Sequence, residues 1–404
     1  MGCPISIYHR IIEPVEMITN TTYGVFNWLN HLKTYFGTSL FPPRISACAE
    51  ILVRRYTTPS HNFPSMKNSF STYNPVFTIF FLVAVFFFSG CKVKTVLPPQ
   101  SKICMDTVCS INAFDDGTEN LYSSIFEKLD SIESKFSLTI PDSEICKVNK
   151  NAGISPVEVS KEFLYVVNTS QKISELTEGA LDISANPLIE LWGINTDHAK
   201  VPDEDEMKAA MGKIGWKKIK IAGNTVFLEE KGMSVNLGAI VKGYAADEII
   251  KILKSNKVRK AVVDLGGNIY MFGKKTDGSL WNVGVKNPKE PNAAPMLKIS
   301  TAENSIVTSG NYERYFEKDG IRYHHIFDTK TGKPSASGTA STTIVCSKSI
   351  LADCLSTAFF VMGEKKTAQV LPAIEKEFNT EIGVVFIDEK NNYSTLGKIQ
   401  VQKL

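Results

Sequence analysis

From residue 101 to the C-terminus, strand-like and helix-like segments mix without the regular alternation that builds a parallel sheet. Glu119–Phe136 and Ser160–Thr177 have the apolar spacing of amphipathic helices, with Ser160 as a candidate N-cap. Ile103–Ala113 alternates like a strand, and Gly223-Asn224 separates two β-prone runs as in a hairpin. No repeat or low-complexity linker interrupts these segments. We therefore predict one α+β domain over residues 101–404.

The remaining elements follow from the same patterns. Helices are predicted at Asp205–Ile214, Gly243–Ser255 and Ile350–Met362, and strands at Lys218–Ala222, Thr225–Glu229, Lys260–Asp264, Trp281–Val285, Leu297–Thr301, Ser305–Thr308, Thr342–Cys346 and Gly383–Ile387. The 45 Lys and Arg residues nearly balance the 42 Asp and Glu residues, and no block of like charges occurs. This balance gives no reason to expect nucleic acid as a partner.

An uncharged apolar run, Val76–Phe88, precedes this domain and is followed by Ser89-Gly90-Cys91. Its 13 residues are too few to span a bilayer and suit the core of a signal peptide. Small residues before a cysteine resemble a bacterial lipobox, which predicts lipidation of Cys91. The alternative is a buried strand followed by a chance cysteine.

The position of the apolar run predicts where translation begins. Met66-Lys67 would give a short, positively charged start, so residues 66–90 are predicted as a lipoprotein signal peptide and residues 91–100 as a tether. Residues 1–65, with scattered prolines and no continuous apolar face, are then upstream sequence from a misplaced start. A genuine N-terminal extension is the alternative.

The cysteines exclude two kinds of site. Five of the eight lie within the predicted domain, and none forms a Cys-x-x-Cys pair, so neither a zinc site nor a disulfide framework is indicated. Cys346 and Cys354 lie in apolar runs typical of core residues. A Cys104–Cys109 bridge is compatible with an exported protein, and the sequence leaves it open.

Asp353 and Thr357 carry the clearest chemical signal. Residues four apart share one helix face, so both oxygens can converge on one hard cation. Asn236–Gly243 is a small-residue turn that opens a helix and carries Lys242, an arrangement that suits a phosphate. Together the two segments predict a magnesium–phosphate site.

Three further segments have both a functional and a structural interpretation. Glu178–Gly193 suggests an irregular loop that clamps a planar ligand, although Leu188, Leu191 and Trp192 could equally be core. The paired glycines of Asp264–Asn268 allow either a ligand approach or a plain turn. Thr308–Tyr315 precedes Tyr323–Pro334, whose adjacent histidines should face opposite sides of a strand.

In this order, from about Met105 to Gly363, the segments resemble the ApbE-type FAD:protein FMN transferases. The resemblance implies one exported, often lipid-anchored α+β domain that uses FAD and Mg²⁺. It implies transfer of FMN from FAD to a Thr or Ser of an acceptor protein, with release of AMP. In the family, acceptors are often extracytoplasmic flavoproteins or subunits of membrane redox pumps, so we expect the chain at the outer face of the cell membrane.

The resemblance also implies roles for individual residues. Asp353, Thr357 and the Ala239 carbonyl would hold Mg²⁺, and Lys242 would contact the FAD phosphates. His325 would activate the acceptor hydroxyl, making His325 and Asp353 the catalytic pair. Met105 would pack on the flavin or the adenine. The FAD pocket would be lined by Ala180, Leu181 and Asp182, and the segment around Ile326 would close it.

Three positions depart from the family pattern: Asn236 stands where the family often has aspartate, Asp106 replaces the usual glycine, and Thr139 falls near where an aromatic residue often stacks on FAD. Two other activities stay open on the sequence alone. Water could replace the acceptor, giving an FAD pyrophosphatase, or the chain could bind flavin without catalysis.

Overall fold

The computed structural model describes residues 95–404. The predictions for residues 1–65, residues 66–90 and Cys91 fall outside this range. Within the predicted tether, Leu97 already packs against the domain, and its N–H donates to the Gly117 carbonyl at 3.0 Å. In the described part of the chain, no helix is both long and apolar enough to cross a membrane.

Helices and strands are intermixed, which confirms the predicted α+β class. The helices are α1 (Glu119–Phe136), α2 (Glu144–Lys150), α3 (Lys161–Leu176), α4 (Asn186–Trp192), α5 (Glu204–Met211), α6 (Val241–Ser255) and α7 (Ser349–Phe378). Ser160 caps α3 as predicted, because its side chain accepts a hydrogen bond from the Phe163 N–H.

An antiparallel sheet of eight strands forms the centre of the domain. In spatial order its strands are β1 (Gln100–Cys104), β2 (Thr107–Asn112), β6 (Ala261–Leu265), β7 (Asn268–Phe272), β10 (Asn304–Gly310), β15 (Thr339–Cys346), β16 (Ile382–Asp388) and β17 (Tyr393–Gly397). Every residue of β15 is buried, so this strand is covered on both faces.

Smaller antiparallel sheets complete the fold. One contains β3 (Val157–Glu158), β5 (Thr225–Leu228) and β4 (Ile219–Ala222), and a second contains β18 (Val401–Lys403), β9 (Leu297–Thr301) and β8 (Trp281–Val285). Two hairpins pair β11 (Tyr315–Lys318) with β12 (Ile321–His324) and β13 (Phe327–Asp328) with β14 (Lys333–Pro334).

The central sheet is the middle of three layers. On one face, α1, α3, α6 and α7 pack with it to form the main hydrophobic core. On the other face, Val283 and Ile299 of the β18–β9–β8 sheet pack against Ile306 and Val385. A separate small core joins Trp192 to the β13 region.

Two local predictions were wrong, and a third was confirmed. Ile103–Ala113 is a hairpin rather than one strand, because Met105 and Asp106 adopt left-handed φ angles of 51° and 57° and turn the chain. The predicted loop at Glu178–Gly193 contains α4, which Pro187 starts and left-handed Gly193 ends. The predicted helix Ile350–Met362 is confirmed, because the helical backbone breaks at Gly363, and a further helical segment follows to Phe378.

Candidate active site

One end of the central sheet gathers the turns that carry the predicted site residues. The Met105-Asp106 turn joins β1 to β2, and the Gly266-Gly267 turn joins β6 to β7 beside it. A Cβ on Gly266 would lie 2.0 Å from Thr107 Oγ1, so the two turns touch and glycine is required. The Asp264–Asn268 segment is therefore a tight hairpin turn.

Asp353 lies on α7 and is only 5% exposed. Its Oδ2 accepts a hydrogen bond of 2.8 Å from the Gly243 N–H in the first turn of α6. A Cβ on Gly243 would lie 2.3 Å from the Ser349 carbonyl, so the two helices meet where residue 243 has no side chain. Burial raises the pKa of Asp353, while the Lys242 charge and the Gly243 N–H favour the ionised form.

Thr357 lies one turn beyond Asp353 on α7 and is half-buried. Ser309 Oγ on β10 is 3.4 Å from Thr357 Oγ1 and 2.8 Å from Ser356 Oγ. Ser356 in turn donates to the Asp353 carbonyl at 2.8 Å. A chain of hydroxyl groups thus fixes the position of the Thr357 side chain relative to Asp353.

Lys242 and Ala239 belong to the turn that opens α6. The Lys242 ammonium lies 3.5 Å from the Gly238 carbonyl, and its charge acts on both Asp353 and His325. Asn236 holds the start of this turn, because its Oδ1 accepts from the Gly238 N–H at 2.9 Å.

The Asn236 amide also explains one departure from the family pattern. Its Nδ2 donates to Asn186 Oδ1 at 3.1 Å, and Asn186 Nδ2 contacts Glu190 and Ser234. An aspartate at position 236 has no donor for Asn186 in this arrangement. The Asn236–Asn186 pair therefore couples the α6 turn to α4.

The two adjacent histidines have different surroundings, as predicted. His324 is buried, its ring meets Phe360 edge-on, and its Nε2 is 3.1 Å from the Ser335 carbonyl. His325 is half-buried, and its Nδ1 is 3.1 Å from the Arg314 carbonyl. Burial lowers the pKa of His325 to about 4, with smaller contributions from the Arg314 and Lys242 charges. His325 is therefore neutral at pH 7.

The flavin-pocket residues predicted near Glu178 lie next to the β13–β14 turn. Thr329 Oγ1 donates to the Gly179 carbonyl at 3.4 Å, and Trp192 Nε1 donates to the Gly332 carbonyl at 2.9 Å. Leu188 and Trp192 are core residues, which confirms their structural interpretation.

Within this region the side chains differ in their availability to a ligand. Leu181 is 2% exposed and packs in the main core, and Ala180 is partly buried against it. Asp182 uses both carboxylate oxygens, accepting from Ser184 and from the Trp216 N–H. Ile326 is 4% exposed. The FAD contacts of these residues stay a prediction.

Met105 and Asp106 form a turn with two left-handed residues. The Met105 N–H donates to Glu133 Oε1 on α1 at 2.9 Å, which ties the turn to the helical layer. Aspartate tolerates the left-handed region better than most residues, so Asp106 can replace the usual glycine. Thr139, the third departure, lies in an exposed turn and is 2.8 Å from Ser137 Oγ.

Three residues near Asp353 had no role in the sequence prediction. Asp247 on α6 accepts hydrogen bonds from the Ser349 and Ile350 N–H groups at 2.8 and 2.9 Å. Burial raises its pKa to about 6. Asn268 accepts from Ser349 Oγ at 2.9 Å, and its side chain favours the ionised form of Asp353. Ser309 is the third. The only sequence signals for these residues were the Thr308–Tyr315 motif, which contains Ser309, and the Asp264–Asn268 motif, which contains Asn268.

The donor set of this site fits magnesium. Asp353 and Thr357 offer a carboxylate and a hydroxyl, and the α6 turn adds the Ala239 carbonyl, so all three donors are hard oxygens. Among residues 95–404, no three His, Cys, Asp or Glu side chains come together as a possible metal cluster. The set is therefore unlike a zinc centre and leaves coordination positions for phosphate oxygens or water.

Two cavities lie outside this cluster of residues. One, of about 430 Å³, is lined by Pro187, Glu190 and Ser234 around α4. The other, of about 270 Å³, lies between Ser337 and Tyr393. Neither is lined by Asp353, Lys242 or His325, so the site is assigned from its polar contacts rather than from cavity size.

Comparison with known sequences agrees with this geometry. The profile of the ApbE family matches residues 105–380, which include every predicted site residue of the domain. The chain belongs to the ApbE family. The FAD:protein FMN transferase of Treponema pallidum is 33% identical over 291 residues, which is 67% of this chain and 80% of the relative. That of Vibrio cholerae is 30% identical over 298 residues, or 72% and 89%.

Solved structures of ApbE proteins share the fold. The ApbE protein of Thermotoga maritima superposes with a TM-score of 0.66 at 30% identity, covering 73% of this chain and 96% of that structure. The flavin transferase ApbE from Vibrio cholerae gives a TM-score of 0.65 at 27% identity, covering 74% and 96%. Family and fold thus agree over the described domain.

Proposed function

We propose that this chain is an FAD:protein FMN transferase that works with Mg²⁺. The observation that carries the proposal is the convergence of Asp353, Lys242 and His325 at the start of α6. These segments are far apart in sequence and meet at a helix N-terminus, where the helix dipole favours an anion. The family membership and the names of the curated relatives support the same activity.

Asp353, Thr357 and the Ala239 carbonyl are the residues that would hold Mg²⁺. The ion, when bound, would neutralise pyrophosphate charge and stabilise the charge that develops as the bond breaks. Asp353 is suited to this role because the Lys242 charge and the Gly243 N–H favour its ionised form despite burial. Ser309 keeps the Thr357 hydroxyl in place.

Lys242 would bind the FAD phosphates. It lies in the first turn of α6, where the positive end of the helix dipole also favours negative charge. Its ammonium group would bind phosphate as a point charge. Lys242 thereby orients the pyrophosphate and stabilises it throughout the reaction.

His325 would act as the general base. The Arg314 carbonyl can only accept a hydrogen bond, so the proton of the neutral ring is assigned to Nδ1 and the lone pair to Nε2. Nε2 would take the proton from a Thr or Ser hydroxyl of the acceptor. That oxygen then attacks the FMN phosphorus, the bond to the bridging oxygen breaks, and AMP leaves with the electron pair.

The flavin itself would lie near the sheet end and the β13 region. Met105 would pack on a ring of FAD, and the Ala180–Asp182 segment would line the pocket with Ile326 closing it. The tied conformation of Met105 and the contacts between Gly179 and Thr329 support a preformed surface there.

We also propose that Cys91 is lipidated and that the domain works at the outer face of the cell membrane. The support is the apolar run followed by Ser89-Gly90-Cys91. The acceptors would then be extracytoplasmic flavoproteins or subunits of membrane redox pumps. In cells fed a labelled fatty acid, the Cys91→Ser chain should carry no label, whereas the Cys146→Ser chain should be labelled like the wild type. Equal labelling of both variants would refute the anchor.

The activity is tested with the full chain, FAD, Mg²⁺ and a threonine-bearing acceptor domain. The acceptor band on a denaturing gel should become fluorescent, and a chelator should prevent this. Asp353→Asn keeps an acceptor for the Gly243 N–H but loses the charge, so labelling should fall at least ~100-fold. Lys251→Gln, an exposed change on the same helix as Lys242, is the control.

Two other outcomes would replace the proposal. Free FMN and AMP without a labelled acceptor would indicate the pyrophosphatase, in which water takes the place of the hydroxyl. Intact bound FAD, indifferent to Mg²⁺, would indicate a flavin carrier without catalysis.

A further inference from the structure

We propose that Cys104 and Cys109 form a disulfide bond that holds the turn carrying Met105. Their Sγ atoms are 2.9 Å apart, which is shorter than the sum of two sulfur van der Waals radii. Both are present as thiols in this structure. Lys102 pairs with Cys109, and Cys104 pairs with Thr107, so the cysteines are diagonal neighbours on one face of the hairpin.

The other cysteines of the domain have oxygen neighbours instead. Cys146 Sγ lies 3.4 Å from the Leu138 carbonyl, and Cys346 Sγ lies 3.6 Å from Thr380 Oγ1. The Cys104–Cys109 contact is therefore not the general environment of cysteine in this fold. Cross-strand neighbours at this separation reach bonding distance by small side-chain rotations.

The bond would join the two strands of a hairpin at the edge of the central sheet, whose inner face is already buried in the main core. Strand β1 is an edge strand, and the outer face of its hairpin leaves Ile103 80% exposed and Val108 56% exposed. Met105 and Asp106 occupy left-handed backbone conformations that side chains rarely favour. A disulfide between the strands would limit local opening of this edge hairpin.

The oxidation needs a partner disulfide as the oxidant. One cysteine thiolate attacks the oxidant and forms a mixed disulfide, releasing one oxidant thiol. The second cysteine then attacks the first sulfur and expels the other oxidant thiol. Two electrons and two protons pass from Cys104 and Cys109 to the oxidant. An extracytoplasmic location, as proposed above, would supply such oxidants.

A single tryptic peptide, residues 103–128, contains both cysteines and no others, so mass spectrometry gives a direct test. The full chain is incubated with oxidised glutathione, denatured, alkylated and digested. We expect this peptide to be two hydrogens lighter and free of alkyl groups. The peptide with Cys146 should be alkylated in the same digest. Two alkyl groups on residues 103–128 after oxidation would overturn the proposal.

The effect on Met105 is measured separately and rests on the proposed FAD site. Reduction of the bond should weaken FAD binding about threefold, because fewer molecules hold the competent turn. The Cys104→Ser, Cys109→Ser double variant should bind like the reduced protein and not respond to oxidant. Equal affinity in the oxidised and reduced wild type would overturn the link to Met105. Absence of FAD binding in both forms would instead refute the FAD site and leave the mass result standing.

Discussion

Asp247 and Asp353 cap each other's helices. Asp247 on α6 accepts from the Ser349 and Ile350 N–H groups at the start of α7, and Asp353 on α7 accepts from the Gly243 N–H at the start of α6. Each carboxylate satisfies N–H groups that a helix start leaves unpaired. The proposed metal ligand is therefore also part of the contact that fixes the crossing of the two helices.

Asp247→Asn should weaken both stability and metal binding. An amide has one acceptor oxygen where Asp247 uses two, so one N–H group at the start of α7 loses its partner. We expect a loss of about 1–2 kcal/mol in the free energy of unfolding by urea. Mg²⁺ affinity measured by calorimetry should also fall, because Asp353 is carried on the displaced helix. Unchanged affinity in a destabilised variant would separate the cap from the metal site.

Gly243→Ala tests the close helix crossing. The new methyl would overlap the Ser349 carbonyl, so α6 and α7 must separate or the residue must shift. We expect the free energy of unfolding, measured by thermal unfolding, to fall by about 3 kcal/mol, and Mg²⁺ binding to weaken. Gly212→Ala is the matched control, since a Cβ there meets nothing closer than 3.6 Å and the backbone is right-handed helical. Equal stability of the two variants would contradict the close approach.

Ser309→Ala should raise the Mg²⁺ requirement without stopping the reaction. Ser309 contacts Thr357 Oγ1 rather than occupying a proposed ligand position, so its removal leaves a ligand less well oriented. The Mg²⁺ concentration for half-maximal labelling should rise about tenfold, with kcat at saturating Mg²⁺ little changed. Ser300→Ala on the separate β9 sheet should behave like the wild type. A loss of kcat at saturating metal would show a different role for Ser309.

His325 should make the protein less stable in acid. Its pKa of about 4 in the folded protein lies below the 6.5 of an unperturbed histidine. Between these two pH values, His325 is protonated in the unfolded chain and neutral in the folded protein, which favours unfolding. The contribution of His325 to the free energy of unfolding is fully present above pH 6.5 and is lost as the pH falls toward 4. The pKa of Asp247 is raised to about 6 in the folded protein, so this residue makes the protein more stable as the pH falls over a similar range.

The His325 contribution is isolated by comparison with His325→Asn, whose amide can still donate to the Arg314 carbonyl. Between pH 7 and pH 5, the free energy of unfolding of the wild type should fall relative to that of the variant. FAD binding at pH 7 should persist while labelling falls ~100-fold or more. A pH-independent difference would show that His325 is not buried in its neutral form.

Local patterns predicted much of the fold. The apolar spacing gave α1 its bounds, and Ser160 gave the start of α3, because both depend on residues a few positions apart. The β1–β2 turn was missed because Met105 is not a turn-forming residue and no glycine stands beside Asp106, while the pairing of Cys104 with Thr107 requires the left-handed conformation.

The site shows the same division. The spacing of Asp353 and Thr357 is visible in the sequence because one helix carries both. The contact between Asp353 and Gly243 depends on how two helices cross, and the periodicity of either helix does not contain that information. Asp247 was missed for this reason, since its role exists only across the crossing. The neighbourhood was reached through the family resemblance.

The strand order has a consequence for when the site can exist. Strand β2 pairs with β6, so Cys109 meets Leu265 only after a long stretch of chain has been made and folded between them. Closing such distant pairs is slow compared with forming helices. The proposed metal ligands near the end of the chain come later still. On the proposed function, a growing or incompletely folded chain lacks the complete FAD and metal site, which forms only when the last central strands are in place.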